Sequence, residues 1–233
     1  MWNGKLKALT FSFDDGVLQD KRAIDILNKY NLKATFNLNS AILGTLNILP
    51  VAENKTVCHD KVNPYEVGQI YKGHEVAVHT LTHPLLPTLS ADAITWQVEE
   101  DRKTLSRLAG YEVVGMAYPC GGVNNDDRVA EIIKNTSGVK YARTITSTHN
   151  FDLQENLYRF NPTVFYGHVD KLFELAHKFI EMKPSAPQLF YIWGHTYEMD
   201  ADIISWEKFE EFCALVSGRD DIFYGTNAQV LLK

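Results

Sequence analysis

A chain of 233 residues with 45% hydrophobic and 22% charged side chains has globular proportions and enough apolar material for a sizeable core. A net charge of −6, no Lys/Arg-rich run and no apolar run near the ~20 residues of a bilayer span argue against nucleic acid, an anionic surface or a membrane as partner. Three cysteines, Cys58, Cys120 and Cys213, match no zinc-knuckle or redox spacing, which predicts free thiols in a reducing compartment. Residues 1–5 lack a secretory apolar stretch, so the expectation is a cytoplasmic protein on the sequence as given, or a secreted one if a signal preceded it.

Residues 6–13 are rich in β-formers and stop at Asp14-Asp15-Gly16, predicting a strand that ends in two carboxylates. Residues 20–30 carry Ile24, Leu27 and Tyr30 at helical spacing, and 33–38 read as a second strand. Residues 41–63 have no clean period and predict a long loop with room for a short helical piece. Pro64 suits the first turn of a helix over 64–71, and 75–79 is strand-like. The clearest helix spans 90–108, with Ser90 as N-cap and Gly110 at its stop. Strands over 113–118 and 139–144 flank a helix from about 126 to 134. A weak strand over 157–165, a helix over 169–181, an apolar strand over 189–194, a helix over 206–216 and a short strand over 222–225 complete the chain.

Alternating strands and helices predict a mainly parallel sheet, and the lack of a linker or repeat predicts one domain over 1–233. Polar clusters follow the strands at Asp14-Asp15, His79 to His83, Pro119 to Gly121 and His195. In a parallel barrel those strand ends share the face where active sites lie. A doubly wound open sheet is the alternative.

The chemistry sits in two segments. In T-F-S-F-D-D-G, adjacent residues of a strand point to opposite faces, but a turn at the strand end brings both carboxylates to a common pocket. In H-T-L-T-H, a helical turn after the strand places His79 and His83 on one face, a spacing that suits two ligands on one metal. Two imidazoles and one carboxylate make a three-ligand site with open positions, and the other carboxylate is free to take a proton from water.

These motifs resemble those of the polysaccharide deacetylases, carbohydrate esterase family four, which include the nodulation-factor deacetylases. The resemblance runs from about Leu6 to Val230: T-F-S-F-D-D-G is similar to the first motif, G-H-E-V-A-V-H-T-L-T-H-P to the second, A-Y-P-C-G to the third and I-W-G-H to the last. It implies a distorted, incomplete (β/α) barrel of about seven units acting as one catalytic domain. It implies Asp14 as general base, Asp15, His79 and His83 as metal ligands, His195 as general acid and the backbone N–H of Cys120 as an oxyanion donor. It implies one divalent ion, zinc first, with cobalt, nickel or manganese in some members. The implied substrate is an acetylated sugar, oligomer or polymer, cut at an N- or O-acetyl group.

The third motif departs from the family pattern. Ala117 stands where an Arg usually pairs with the base, and Cys120 stands in place of a Tyr. Arg143, at the end of a later strand, is the candidate replacement cation. The carboxylate that orients the acid His has no clear counterpart; Asp152 lies in a suitable region without matching neighbours. Tyr118, Trp193 and Tyr197 flank the site and offer aromatic faces to a sugar. His74 reads as structural, His59 as part of a solvated loop with a second metal site as its alternative, and His149, His168 and His177 as surface residues.

Three other readings compete. The same fold hydrolyses C–N bonds of small nitrogenous metabolites, and the altered third motif leaves that open. A non-catalytic carbohydrate-binding relative is disfavoured by the intact Asp14, Asp15, His79, His83 and His195. An Fe(II) centre is compatible with the ligand set but leaves the second carboxylate without a task.

Overall fold

The computed structural model describes residues 1–232 and arranges them around one curled sheet. In chain order the elements are β1 (Lys7–Asp14), α1 (Asp20–Lys29), β2 (Ala34–Leu38), β3 (Ile48–Ala52), β4 (Lys55–Cys58), α2 (Val67–Ile70), β5 (Glu75–Val78), α3 (Ala91–Ala109), β6 (Gly115–Ala117) and α4 (Asp127–Thr136). They continue as β7 (Tyr141–Arg143), β8 (Val164–Phe165), α5 (Val169–Glu181), β9 (Gln188–Gly194), α6 (Trp206–Val216), β10 (Ile222–Tyr224) and α7 (Asn227–Leu231). The sheet runs β7-β6-β5-β2-β1-β9-β8, with β10 added beside β1, and its strand pairs are parallel. This is the distorted, incomplete barrel that the motifs implied, not an open doubly wound sheet.

Helix ends follow local chemistry. Ser90 caps α3 by accepting from Ala93 N, and Gly110 leaves the helix at φ 79, where a side chain would be strained. The sheet buries both faces. Leu9, Phe11 and Phe13 of β1 point outward into the main core, where Phe11 meets Phe209 and Phe212 of α6 edge-on at 6.1 Å. The alternate residues Thr10, Ser12 and Asp14 point inward, where Thr10 bonds Asn227 and Asn37 bonds Ser12. The N-terminal end of the barrel is closed by Trp2, Leu189, Val230 and Leu231, with Trp2 Nε1 donating to Val230 O at 3.1 Å.

Three predicted elements change. Residues 48–58, predicted as loop, form an antiparallel hairpin whose turn places Asn54 at φ 61. Pro50 and a register shift beside it hide the strand pattern. The weak strand over 157–165 reduces to a 3-10 turn at Leu157–Arg159 and the two residues of β8. Between them Phe160 bridges Arg143 across the seam, and Pro162 has no N–H to continue a ladder. The helix over 64–71 divides into a 3-10 turn at Pro64–Glu66 and the short α2. Among the described residues, no helix is long and apolar enough to cross a membrane.

Candidate active site

β1 supplies both carboxylates. Asp14 is its last residue and points inward; Asp15 would face outward if the strand continued. Instead Asp15 takes φ 84 and Gly16 φ 61, and this left-handed turn brings Asp15 back to the same pocket. A Cβ on Gly16 would meet Leu38 at 2.7 Å, so the turn needs glycine for space as well as for φ.

His79 and His83 converge without the helical turn their spacing suggests. His79 directly follows β5, the segment beyond it is a loop, and Thr80 and His83 adopt φ 69 and φ 61. Asn39 holds that loop by donating to the carbonyls of His79 and Thr80 at 2.5 and 2.9 Å, and the Asp101 carboxylate accepts from His79 N at 3.2 Å. Asp15, Thr80, His83 and Cys120 all sit at positive φ. Such strain costs ~1–3 kcal/mol per residue and gathers at functional sites.

The donor set fits a divalent cation. Asp15 Oδ1 lies 3.7 Å from His79 Nε2 and 3.6 Å from His83 Nε2. A tetrahedral ion bonded at ~2.1 Å separates its ligands by about 3.4 Å, so these atoms close on one ion with small adjustment. His79 Nδ1 donates to the Ala117 carbonyl at 2.9 Å, leaving the Nε2 lone pair for the ion. Burial pushes the His79 pKa down to about 4 against the pull of Asp14, and burial lowers His83 as well. Both imidazoles are thus neutral at pH 7, the form that ligates.

Arg143, the last residue of β7, stands beside Asp14 where the motif Arg is missing. Its fully buried Nη2 lies 2.6 and 2.5 Å from the two Asp14 oxygens, and its guanidinium covers the Trp193 ring at 4.7 Å. Asn37 Nδ2 adds a bond to Asp14 Oδ1 at 2.8 Å. Burial alone would raise the Asp14 pKa, but Arg143, then His79 and His195, outweigh it and hold the carboxyl below its usual value.

His195 sits just beyond β9 with Nε2 3.9 Å from Asp14 Oδ2. Glu198, which sequence reasoning missed, is the carboxylate beside it: Oε1 lies 3.1 Å from His195 Nδ1, an ion-pair distance without hydrogen-bond geometry, and Oε2 accepts from His195 N at 2.9 Å. The signal was present as His-x-x-Glu after a strand, the spacing of a capping box. Asp152 instead bridges Gln188 at the opposite end of β9. Burial alone would lower the His195 pKa; Glu198, then Asp15 and Asp14, raise it to about 9. One cavity therefore holds neutral ligand histidines beside a cationic one, an environment-set division of roles.

The cavity has a volume of about 270 Å³ and takes in all five motif side chains together with Tyr118, Cys120, Ile145, Trp193 and Tyr197. The Cys120 N–H, at φ 68, faces His83 Nε2 at 3.4 Å and so borders the ion position. Burial pushes the Cys120 thiol up, away from the thiolate an extra ligand would need. Tyr118 is buried with its hydroxyl donating to Tyr158 O at 2.7 Å, so it serves as wall. Trp193 lies largely under Arg143, while Tyr197 packs against His195 at 5.2 Å.

His59 is mostly buried, not part of a solvated loop. It approaches Asp15 at 3.2 Å, and Asp15, His79 and His83 are the only cluster of three such ligands among the described residues. Lys61, also missed, donates to the Asp15 carbonyl at 2.9 Å. His74 is structural: its Nδ1 accepts from Ala34 N at 3.2 Å, and burial lowers its pKa to about 4. His149, His168 and His177 stay outside the cavity.

A parallel barrel whose strand ends gather a carboxylate–His–His cluster able to hold a cation, beside a second carboxylate and another histidine, defines a class of protein. The family model for polysaccharide deacetylase matches residues 3–140, more than half of the chain, and the chain belongs to that family. It is 27% identical over 129 residues, 54% of its length, to peptidoglycan-N-acetylmuramic acid deacetylase PdaC of Bacillus subtilis (strain 168). It is 31% identical over 124 residues, 53% of its length, to a bifunctional xylanase/deacetylase of Pseudobutyrivibrio xylanivorans. These matches span 24% and 18% of the two relatives. The structure of PdaC from Bacillus subtilis superposes with a TM-score of 0.57 at 19% identity, covering 97% of this chain and 90% of that one. The Xyl-CE4 domain of a xylanase from the hindgut metagenome of Trinervitermes trinervoides gives 0.58 at 17% identity, covering 96% and 89%. At such identity the superpositions establish the fold.

Proposed function

We propose that this chain is a divalent-metal hydrolase that removes N- or O-linked acetyl groups from a carbohydrate, as one catalytic domain over residues 1–233, of which Lys233 lies outside the described residues. The observation that carries the reading is the convergence of Asp15, His79 and His83 with Asp14 on one side and His195 close by. Family membership and relatives named as a peptidoglycan-N-acetylmuramic acid deacetylase and a bifunctional xylanase/deacetylase support the substrate class. Zinc is the ion we assign, because two neutral imidazoles and one carboxylate with open positions suit it; cobalt, nickel and manganese are the alternatives.

When bound, the ion lowers the pKa of the attacking water towards about 7 and polarises the acyl carbonyl. Asp14, kept ionised by Arg143, takes the water's proton; Asn37 occupies Oδ1, so Oδ2 is the freer oxygen. The Cys120 N–H donates to His83 Nε2 here; once the ion takes that lone pair, the N–H is left beside the acyl oxygen as a donor for its negative charge. His195, whose charge the neighbouring Glu198 favours, gives its Nε2 proton to the departing nitrogen or oxygen. One proton taken and one given leave the charge of the acid–base pair unchanged.

The test is acetate release by purified protein loaded in turn with zinc, cobalt, nickel or manganese. Substrates should include chitin oligomers, peptidoglycan fragments, acetylxylan and small acetylated sugars. Release from at least one class is expected. A protein that binds one ion per chain yet releases no acetate from any of them would overturn the reading.

A further inference from the structure

The hairpin carries a histidine into the site from outside the four motifs. At the exit of β4 the His59 side chain is 12% exposed, and its Nε2 stands 3.2 Å from Asp15 Oδ2. Its Nδ1 faces Asn47 Nδ2 at 3.4 Å. An amide NH₂ only donates, so Nδ1 accepts, and the imidazole proton rests on Nε2, aimed at Asp15. Asn47 is itself fixed: its backbone N donates to Asp60 Oδ1, and its carbonyl accepts from His59 N, both at 2.8 Å. The Tyr197 ring meets the imidazole edge-on at 4.8 Å.

The two oxygens of Asp15 therefore have different partners. Oδ1 faces His79 and His83, and Oδ2 is occupied by His59. A carboxylate that commits one oxygen to a hydrogen bond presents the other as a single, oriented ligand. His59 itself lies outside the ligand cluster. The hairpin exit is strapped in place: Leu18 N donates to Asp60 O at 2.9 Å, Val62 N to Gly16 O at 2.9 Å and Gln19 Nε2 to Cys58 O at 2.7 Å. Lys55 anchors the hairpin to the loop beyond His195 by donating to Ala201 O at 2.8 Å.

We propose that His59 is a positioning residue that holds Asp15 as a one-oxygen metal ligand, with Asn47 setting its tautomer. The proposal rests on the metal-site reading above. It makes ion affinity depend on a histidine at a hairpin's exit, 44 residues from the carboxylate it serves.

The experiment measures Zn²⁺ and Co²⁺ affinity by chelator competition, with the Co²⁺ absorption spectrum, for wild type, His59→Asn, His59→Gln and Asn47→Ala. The Asn amide stops short of Asp15, whereas the Gln amide reaches it in place of Nε2–H. His59→Asn should weaken binding ~10–100-fold. It should also dim the cobalt d–d bands, as Asp15 turns to offer both oxygens and coordination number rises. His59→Gln should recover most of the affinity and the spectrum, and Asn47→Ala should show a smaller loss than His59→Asn. Melting curves identify any general unfolding. If wild type binds neither ion, the metal-site reading itself fails. If wild type binds and His59→Asn matches it in affinity and spectrum, only the His59 proposal falls. It also falls if Gln behaves like Asn, since packing and not the hydrogen bond would then matter.

Discussion

Asp14, at the end of β1, and Glu75, at the start of β5, are both buried inside the same barrel, near its opposite ends. Burial pushes both carboxyls up. At Asp14 the Arg143 guanidinium reverses the effect; at Glu75 the partners are neutral donors, and the pKa stays raised. Those donors are Thr35 Oγ1 at 2.7 Å, Tyr141 OH at 2.9 Å and Ala228 N at 2.9 Å. The Asp14 end opens into the cavity, while the Glu75 end is sealed by Trp2 and α7. Burial alone thus does not mark a reactive carboxylate. A fixed cation and an opening to the cavity separate the proposed base from the structural acid.

The comparison breaks most sharply at Asp14. Asp14→Asn should retain the metal and lower kcat ~10²–10⁴-fold, because an amide cannot take the water's proton. Asp15→Asn should instead lose metal, as a neutral amide is a poorer ligand. Metal content and acetate release distinguish the two; an empty site in Asp14→Asn with a full one in Asp15→Asn would reverse their roles. Arg143→Leu should destabilise the fold by ~3–5 kcal/mol in urea titration, since it strands a buried carboxylate. The double variant Asp14→Asn/Arg143→Leu should lose less than the sum of the single changes.

Much of this was legible because polar clusters interrupt apolar strands: Asp14-Asp15 ends one, and His79 and His195 follow two others. Less legible was how those residues converge. Asp15 turns inward through a positive φ, which neither strand parity nor composition reveals. His83 joins His79 through a strained loop braced by Asn39, not through helical spacing. Arg143 lies 129 residues from Asp14, so only the closing of the sheet makes the pair. The hairpin that brings in His59 has Pro50 in its first strand, which masks the alternation. Glu198 is hard to read from sequence because it lies three residues after His195, where a helix-capping glutamate is ordinary.

Between the two buried carboxylates in expected effect lies Glu198. In the proposed mechanism His195 is an acid only below its own pKa, so activity should fall as the pH rises through that value, about 9 without a cation. Glu198→Gln removes the charge that raises it most, so the alkaline limb of kcat should move to lower pH. A bound cation lowers the value in both proteins, which leaves the displacement between them as the measurement. Superimposable limbs would detach Glu198 from the acid. Activated aryl esters, whose phenolate leaves unprotonated, should show less of the effect than amides.

The smallest change is expected at Glu75, and its sign is opposite to that at Asp14. A carboxyl whose folded pKa is lowered, such as Asp14, contributes stability above its unfolded pKa and loses it as the pH falls through the folded value. A carboxyl whose folded pKa is raised, such as Glu75, contributes stability below its unfolded pKa and loses it as the pH rises through the folded value. Gln at position 75 can keep the network: its carbonyl accepts from Ala228 N and Thr35, and its NH₂ donates to a Tyr141 hydroxyl turned to accept. Glu75→Gln should therefore leave kcat/KM unchanged and alter stability by no more than about 1 kcal/mol at neutral pH. It should also flatten the decline in stability with rising pH above the usual carboxylate range. Urea titrations of both proteins at several pH values read this directly. Glu75→Leu is the sharper control, because it leaves three buried donors without an acceptor, at ~1–3 kcal/mol each. If Glu75→Leu lowered activity per folded molecule while Glu75→Gln did not, the sealed end would be coupled to the site through the barrel interior, and the two carboxylates could no longer be treated as independent.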